Sequence, residues 1–326
     1  LGWSAMKTAW FLVMLTGAIL RTVARRLVRG PHRPSWTWAT ELAWVSMRSV
    51  LIGSVKLGTG WLKSLPEPRG SDPRVRVERI DANGVPAEWW MPIAEEPARV
   101  ILYLHGGGYV FGSPGTHREI ITRLATETPA RVLAPDYRMA PEHRFPAAHD
   151  DCLTAYRWLV SRGVEPAQIV VAGDSAGGAL SVGTLLALRD AGESQPAGAV
   201  LVSPWVDPLA AGGSMETNEP YDIGNRDFLV ACIQEYMDGK TPDDPRVAPL
   251  RGDLAGLAPL FIAIGSCEVL FDQVHALSAR ARSAGVETRL AAYEDQFHAF
   301  QNLASLIPEA ARAIGEMSAF AREKTP

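Results

Sequence analysis

Ser175 is the residue of this chain best placed to act as a nucleophile. It stands in Gly173-Asp-Ser-Ala-Gly177, directly after the apolar run Ile169-Val-Val-Ala172 and just before a helical pattern. Strand, sharp turn and helix are the setting in which G-x-S-x-G becomes a nucleophile elbow, with glycines where side chains would collide and the serine hydroxyl projecting from the tip. A serine hydroxyl is a weak nucleophile at neutral pH, so it needs a base in reach and a carboxylate to orient that base. After such an elbow the acid follows in the chain, then the histidine. Only His275 and His298 lie downstream. His275 falls inside a helical pattern over residues 272–284, whereas His298 follows a strand pattern at residues 288–293 through a short loop, which makes His298 the candidate base. The loop after the strand pattern at 260–264 reads Gly265-Ser-Cys-Glu268-Val-Leu-Phe-Asp272. Glu268 is nearer the strand end and is the candidate acid, while Asp272 sits where a helix N-cap is expected. Glu294 and Asp295 read as loop surface.

Acyl transfer through such a serine also needs donors aimed at the developing oxyanion, worth about 3 kcal/mol each. The strand pattern at 100–104 ends in His105-Gly106-Gly107-Gly108-Tyr109, the loop type that brings backbone N–H groups close to a reacting carbonyl. Two of Gly106, Gly107 and Gly108 are expected to donate together with the N–H of Ala176, and His105 to hold the loop in shape. Phosphate cradles do not fit the same residues: a dinucleotide loop would need glycine where Phe111 stands, and no G-K-[ST] is near. No His and carboxylate spacing indicates a metal site, and the chemistry calls for no cofactor.

The elements that must position these groups follow from periodicity. Val75, Val77 and Ile80 alternate with charged residues, and Asn83-Gly84 turns the chain back, which predicts a β-hairpin. Apolar strand patterns at 100–104, 132–134, 169–172, 199–203, 260–264 and 288–293 then alternate with helical patterns near 117–127, 147–162, 177–191, 226–237, 272–284 and 308–323. That rhythm predicts an α/β fold whose mostly parallel sheet is covered on both faces. Residues 207–250 break the rhythm and predict an excursion over the sheet, where lids and specificity elements belong. The N-terminal 65 residues predict two helices, over 5–28 and 40–57, with Trp3, Trp10, Trp36, Trp38, Trp44 and Trp61 either packing a small subdomain or lining a channel. A proline-rich linker at 65–73 closes this part, giving a helical segment at 1–70 and a catalytic domain at 71–326.

With 32 basic and 36 acidic residues the chain has a net charge of -4, which excludes a nucleic-acid surface. The three cysteines, Cys152, Cys232 and Cys267, are scattered and read as buried free thiols of a reducing, cytoplasmic compartment. The apolar run at residues 9–20 is about 12 residues long, where a span needs roughly 20. It is expected to pack on the protein; membrane-surface contact through residues 9–29 is the alternative, because Arg21, Arg25, Arg26 and Arg29 adjoin it.

His105-Gly-Gly-Gly108, Asp136-Tyr-Arg-Met-Ala-Pro-Glu-His143, Phe145-Pro-Ala-Ala148, Gly173-Asp-Ser-Ala-Gly-Gly178, Ser203-Pro-Trp205, Gly265-Ser-Cys-Glu-Val-Leu270 and Phe297-His-Ala-Phe300 together resemble the bacterial hormone-sensitive-lipase-like esterases from about residue 75 onward. The resemblance implies an α/β-hydrolase core with a helical cap from the N-terminal segment and residues 207–250. It also implies a Ser175, Glu268 and His298 triad that hydrolyses short- to medium-chain acyl esters through an acyl-enzyme. Many members carry aspartate where Glu268 stands. Tyr137, Arg138 and Glu142 would buttress the glycine loop, and Tyr109, Trp205 and Phe228 are candidates for the substrate pocket. A homodimer paired through the last strand, at 288–293, is expected. The alternatives are a lactone hydrolase, a membrane-associated deacetylase of the same chemistry, and a non-catalytic receptor on the same scaffold.

Overall fold

Every apolar strand pattern becomes a strand of one sheet in the computed structural model, which describes residues 3–65, 72–94, 97–209 and 212–326, the side chains of residues 3–5 excepted. The boundary expected between residues 70 and 71, and residues 210 and 211 of the insertion, lie outside the described residues. In chain order the strands are β1 (Val75–Asp81), β2 (Pro86–Pro92), β3 (Val100–Leu104), β4 (Arg131–Pro135), β5 (Ile169–Asp174), β6 (Gly198–Val202), β7 (Leu260–Gly265) and β8 (Thr288–Tyr293). The helices are α1 (Trp3–Arg29), α2 (Trp38–Leu57), α3 (Arg118–Glu127), α4 (Ala147–Ser161), α5 (Ala176–Asp190), α6 (Ser214–Thr217), α7 (Arg226–Met237), α8 (Phe271–Ser283) and α9 (Pro308–Lys324).

Across the sheet the order is β1-β2-β4-β3-β5-β6-β7-β8. The hairpin β1-β2 and the pair β2-β4 are antiparallel, and every pairing from β4 to β8 is parallel. The central strands β3, β5, β6 and β7 are buried along their whole length. Alternate side chains explain why: Ile169 and Val171 enter one core with residues of α4, α5 and α8, and Val170 and Ala172 enter a second with α3 and α9. A strand with a core on each face has no polar side, so it reads as a continuous apolar run.

The N-terminal helices form a hairpin closed by Glu41 of α2, which is fully buried and takes Arg26 and His32 on its carboxylate. Thr37 caps α2 by accepting the Thr40 N–H at 3.1 Å. The tryptophans of this segment divide by position. Trp36 and Trp44 are buried and pack together, with Trp36 edge-on to Phe297, and Trp61 packs on Phe11, while Trp10 and Trp38 are exposed. No helix among the described residues is long and apolar enough to cross a membrane.

The insertion carries a second, four-residue helix, α6, besides the expected one, and is tied to the core at several points, two of them through His149 and Asp272. Tyr236 of α7 meets His149 Nδ1 of α4 at 3.0 Å, and His149 Nε2 lies 2.7 Å from Arg246 O. Burial holds the His149 pKa down to about 4, so the neutral ring donates to the carbonyl and accepts from the phenol. Asp272 Oδ2 accepts the Ser214 N–H at 2.8 Å. Asp272 is therefore not the N-cap of α8. Leu270 holds that position, because the turn enters the helix two residues earlier than the carboxylate suggested.

Candidate active site

The elbow forms because its glycines leave room for no side chain. A Cβ on Gly177 would stand 1.9 Å from Leu104 O, and one on Gly173 would stand 2.4 Å from Gly177 O. Ser175 itself takes φ 55° and ψ -120°, a conformation costing a non-glycine residue about 1–3 kcal/mol. The surroundings enforce it, since Ser175 N donates to Val202 O at 2.9 Å and Trp205 N to Ser175 O at 2.9 Å. Ala176 follows as the first residue of α5, where amide N–H groups have no acceptor within the helix.

Glu268 lies on the turn after β7 and is fully buried. One carboxylate oxygen accepts from Ser203 Oγ at 2.7 Å and from Gly265 N at 2.6 Å, which leaves the other to face His298 Nδ1 at 3.0 Å. With Nδ1 committed to Glu268, Nε2 is the ring nitrogen left to exchange protons. His298 follows β8 as expected, and Ser175 and His298 line the same cavity. Burial opposes a charge on the imidazole, but the hydrogen bond and charge of Glu268, with Asp222 and Asp174 behind it, outweigh burial and raise its pKa. His275, the other downstream histidine, lies on α8 with its ring 4.2 Å from Phe271 and is not among the cavity residues.

The glycine loop is more selective than its sequence suggests. Gly106 N donates to Asp174 Oδ1 at 3.0 Å, so that N–H is already spent on the loop's own anchorage. Gly107 and Gly108 line the cavity beside Ser175. Gly107 has φ 122°, and a Cβ there would meet Phe111 O at 1.9 Å. His105 stays neutral, its pKa pressed down to about 3 by burial. It stacks on Tyr137 with ring centroids 4.2 Å apart, and the Tyr137 hydroxyl donates to His105 O at 2.7 Å. Arg138 pairs with Asp151, and Glu142 with Lys63.

The cavity has a volume of about 360 Å³ and is walled mainly by apolar side chains. Trp205, Phe228, Leu229 and Leu270 form part of it, and α2 contributes Met47, Val50 and Leu51. Trp205 and Phe228 thus stand in the wall of the cavity that Ser175 lines. Tyr109 is not among the lining residues: at φ 67° its ring turns behind the loop and stacks on Tyr236, centroids 4.2 Å apart. Nor, among the described side chains, do Trp10, Trp36, Trp38, Trp44 or Trp61 line it; the side chain of Trp3 lies outside the described residues.

Asp295 also departs from expectation. It is buried and ties the histidine loop to the N-terminal segment, accepting Arg33 Nε at 2.8 Å and Ser35 N at 3.1 Å, while its carbonyl accepts from Trp36 Nε1. Glu294 stays exposed.

Three further residues went unnoticed in the sequence. Asp222, fully buried in the insertion, accepts the N–H groups of His298 at 2.9 Å and Ile223 at 2.7 Å on one oxygen and that of Val269 at 2.7 Å on the other. It thus bridges the loops that carry Glu268 and His298. Burial raises its pKa, and the charge of Glu268 adds to the rise against the opposing pull of His298. Asp174 accepts from Tyr103 Oη at 2.7 Å as well as from Gly106, and meets His117 Nε2 at 3.2 Å. Burial works against both charges, but their attraction prevails: Asp174 is held down at about 2 and His117 is raised. Only Asp174 carried a signal, as the residue before the elbow serine; the others are partners across the fold that no local pattern marks.

A family model described as alpha/beta hydrolase fold matches residues 101–302. An acetyl-hydrolase of Streptomyces hygroscopicus is 42% identical over 240 residues, covering 73% of this chain and 80% of the relative. An esterase of Acinetobacter venetianus is 34% identical over 252 residues, covering 77% and 83%. Among solved structures, an esterase from the bacterial hormone-sensitive lipase family superposes with a TM-score of 0.78 at 38% identity, covering 97% of this chain and 98% of that one. The fold and the matched residues make this chain a member of the α/β-hydrolase family, and within it of the bacterial hormone-sensitive-lipase-like esterases. It is a serine enzyme that hydrolyses carboxylic esters.

Proposed function

We propose that the chain cleaves short- to medium-chain acyl esters through a Ser175, His298 and Glu268 triad. Ser175 Oγ attacks the ester carbonyl as His298 Nε2 takes its proton. Glu268 keeps Nδ1–H pointed at itself and favours the imidazolium that forms. The N–H groups of Gly107, Gly108 and Ala176 receive the oxyanion. His298 then protonates the leaving alcohol, and water, deprotonated by the same ring, releases the acid from the acyl-enzyme. The observation that carries this reading is the single cavity in which Ser175, His298, Gly107 and Gly108 meet.

The substrate range rests on the volume, near the low end of the roughly 300–1,000 Å³ of small-ligand sites, and on the apolar walls. An acetyl-hydrolase and an esterase among the relatives favour the same range. Residues 3–65 and 212–250 act as the cap over the pocket, and β8, which ends the sheet, pairs two copies into a dimer. Ser175→Ala is expected to lose hydrolysis of p-nitrophenyl butyrate by at least about 10³-fold with an unchanged far-ultraviolet circular dichroism spectrum. A panel of p-nitrophenyl esters run on the native chain should peak below octanoate. Turnover by Ser175→Ala at the native rate would reject the mechanism, and a peak at laurate the substrate range.

A further inference from the structure

The outward face of α1 is apolar where a surface helix is ordinarily polar. At 100° per residue, Met6, Trp10, Val13, Leu20, Leu27 and Val28 fall within one arc about 100° wide. The other positions in that arc are Ala9, Gly17 and Ala24, so no polar side chain interrupts it. An arc of this width normally faces a core, yet Val13 is 74% exposed, Leu20 63%, Leu27 73% and Val28 82%. The helix meets α2 with its opposite side, through Phe11, which is buried and lies against Gly53 of α2. The same α2 sends Met47, Val50 and Leu51 into the catalytic cavity.

The charges on α1 are all of one sign. It carries Lys7, Arg21, Arg25, Arg26 and Arg29 and no acidic residue. Arg26 is engaged with Glu41, but Arg21, at the margin of the apolar arc, and Arg29 are exposed. Lys56 of α2 sits over the Trp10 ring at 5.9 Å, adding a cation at the other end. Two α1 helices laid face to face would find no acidic partner for these cations. An anionic lipid surface supplies both an apolar layer for the arc and negative charge for its rim.

We propose that α1 docks this esterase on anionic lipid bilayers, lying in the headgroup region with the arc of Met6, Val13, Leu20 and Leu27 turned into the acyl chains. Docking places the lipid one helix layer from the ester pocket, so esters dissolved in a bilayer are delivered beside the cavity wall. The surface is independent of the triad, and its test does not use catalysis as the readout.

The full chain is mixed with vesicles of phosphatidylcholine alone and of phosphatidylcholine with phosphatidylglycerol, then floated through sucrose. Binding to the anionic vesicles is expected, with little to the neutral ones. Val13→Glu with Leu20→Glu should lower the bound fraction about tenfold or more, while p-nitrophenyl butyrate hydrolysis in free solution is retained. Leu27→Glu with Val28→Glu, at the far end of the arc, repeats the test should the first pair fail to fold. Absence of native binding to anionic vesicles, or binding by the folded variants equal to native, overturns the proposal. So does a native mass in sedimentation that falls to the monomer in the variants without any vesicle binding, which would assign the arc to a second copy of the chain.

Discussion

Glu268 divides its oxygens between two tasks, and in the proposed triad that division sets the response to pH. One oxygen is pinned by Ser203 and Gly265, so the carboxylate cannot swing away from His298, which holds the other. The imidazole must be neutral to accept the serine proton, so activity falls as pH drops through the raised pKa of His298. Glu268→Gln removes the charge that does most to raise it. The acid limb of kcat/KM should move to lower pH, and kcat should fall by about 10³–10⁴-fold. Asp272→Asn touches only the tie to Ser214 and should leave both nearly unchanged. A larger loss in the second variant would move the acid to Asp272. The turn that carries Glu268 closes tightly on the histidine loop: a Cβ on Gly265 would meet Gln296 O at 2.2 Å.

At the level of elements, the insertion does more than line the pocket with Ile223, Phe228 and Leu229. Asp222 fastens the turn after β7 to the loop after β8 through the backbone N–H groups of Val269 and His298, and Arg48 of α2 donates to Glu219 O and Asp222 O from the N-terminal side. The N-terminal helices, the insertion and the loops carrying Glu268 and His298 are thus tied together. Asp222→Asn keeps the shape but sets an amide NH₂ against backbone donors and removes a buried negative charge. A misplacement of about 1 Å can cost 10²-fold, so kcat should drop by up to about 10²-fold with KM little changed. The acid limb should also move to lower pH, because Asp222 helps to raise the His298 pKa. A simple loss of folded protein would lower the active fraction and leave the pH profile where it was, and that result would reduce Asp222 to a structural residue. Such a bridge has no sequence signature, since its partners are main-chain groups 47 and 76 residues away.

For the whole molecule, the sheet stops at β8, whose far side has no neighbouring strand among the described residues and whose side chains are partly exposed except Tyr293. An open edge of this kind is a template for pairing, and a twofold axis would let two copies extend one sheet. Sedimentation of the native chain should give a dimer. The exposed Ala292 lies on this strand between residues whose main chain bonds β7, so its own N–H turns to the open edge, and Ala292→Pro, which removes that N–H, should shift the mass toward the monomer. A native monomer at high concentration would remove the pairing.

The parallel sheet, the helices between its strands, the elbow turn and the loops that carry Glu268 and His298 were all legible in the chain, because each is dictated locally. Continuous apolar runs bury themselves on both faces, and Gly173 and Gly177 permit a turn that no side chain would survive. The three-dimensional fold decided what depends on distant partners: that Gly106 spends its N–H on Asp174, that Tyr109 turns away from the pocket onto Tyr236, that Asp295 anchors the N-terminal segment, and that Asp222 joins the two loops. A sequence states which groups are present and how the backbone turns nearby, but burial and hydrogen bonding are set by what arrives from elsewhere in the chain.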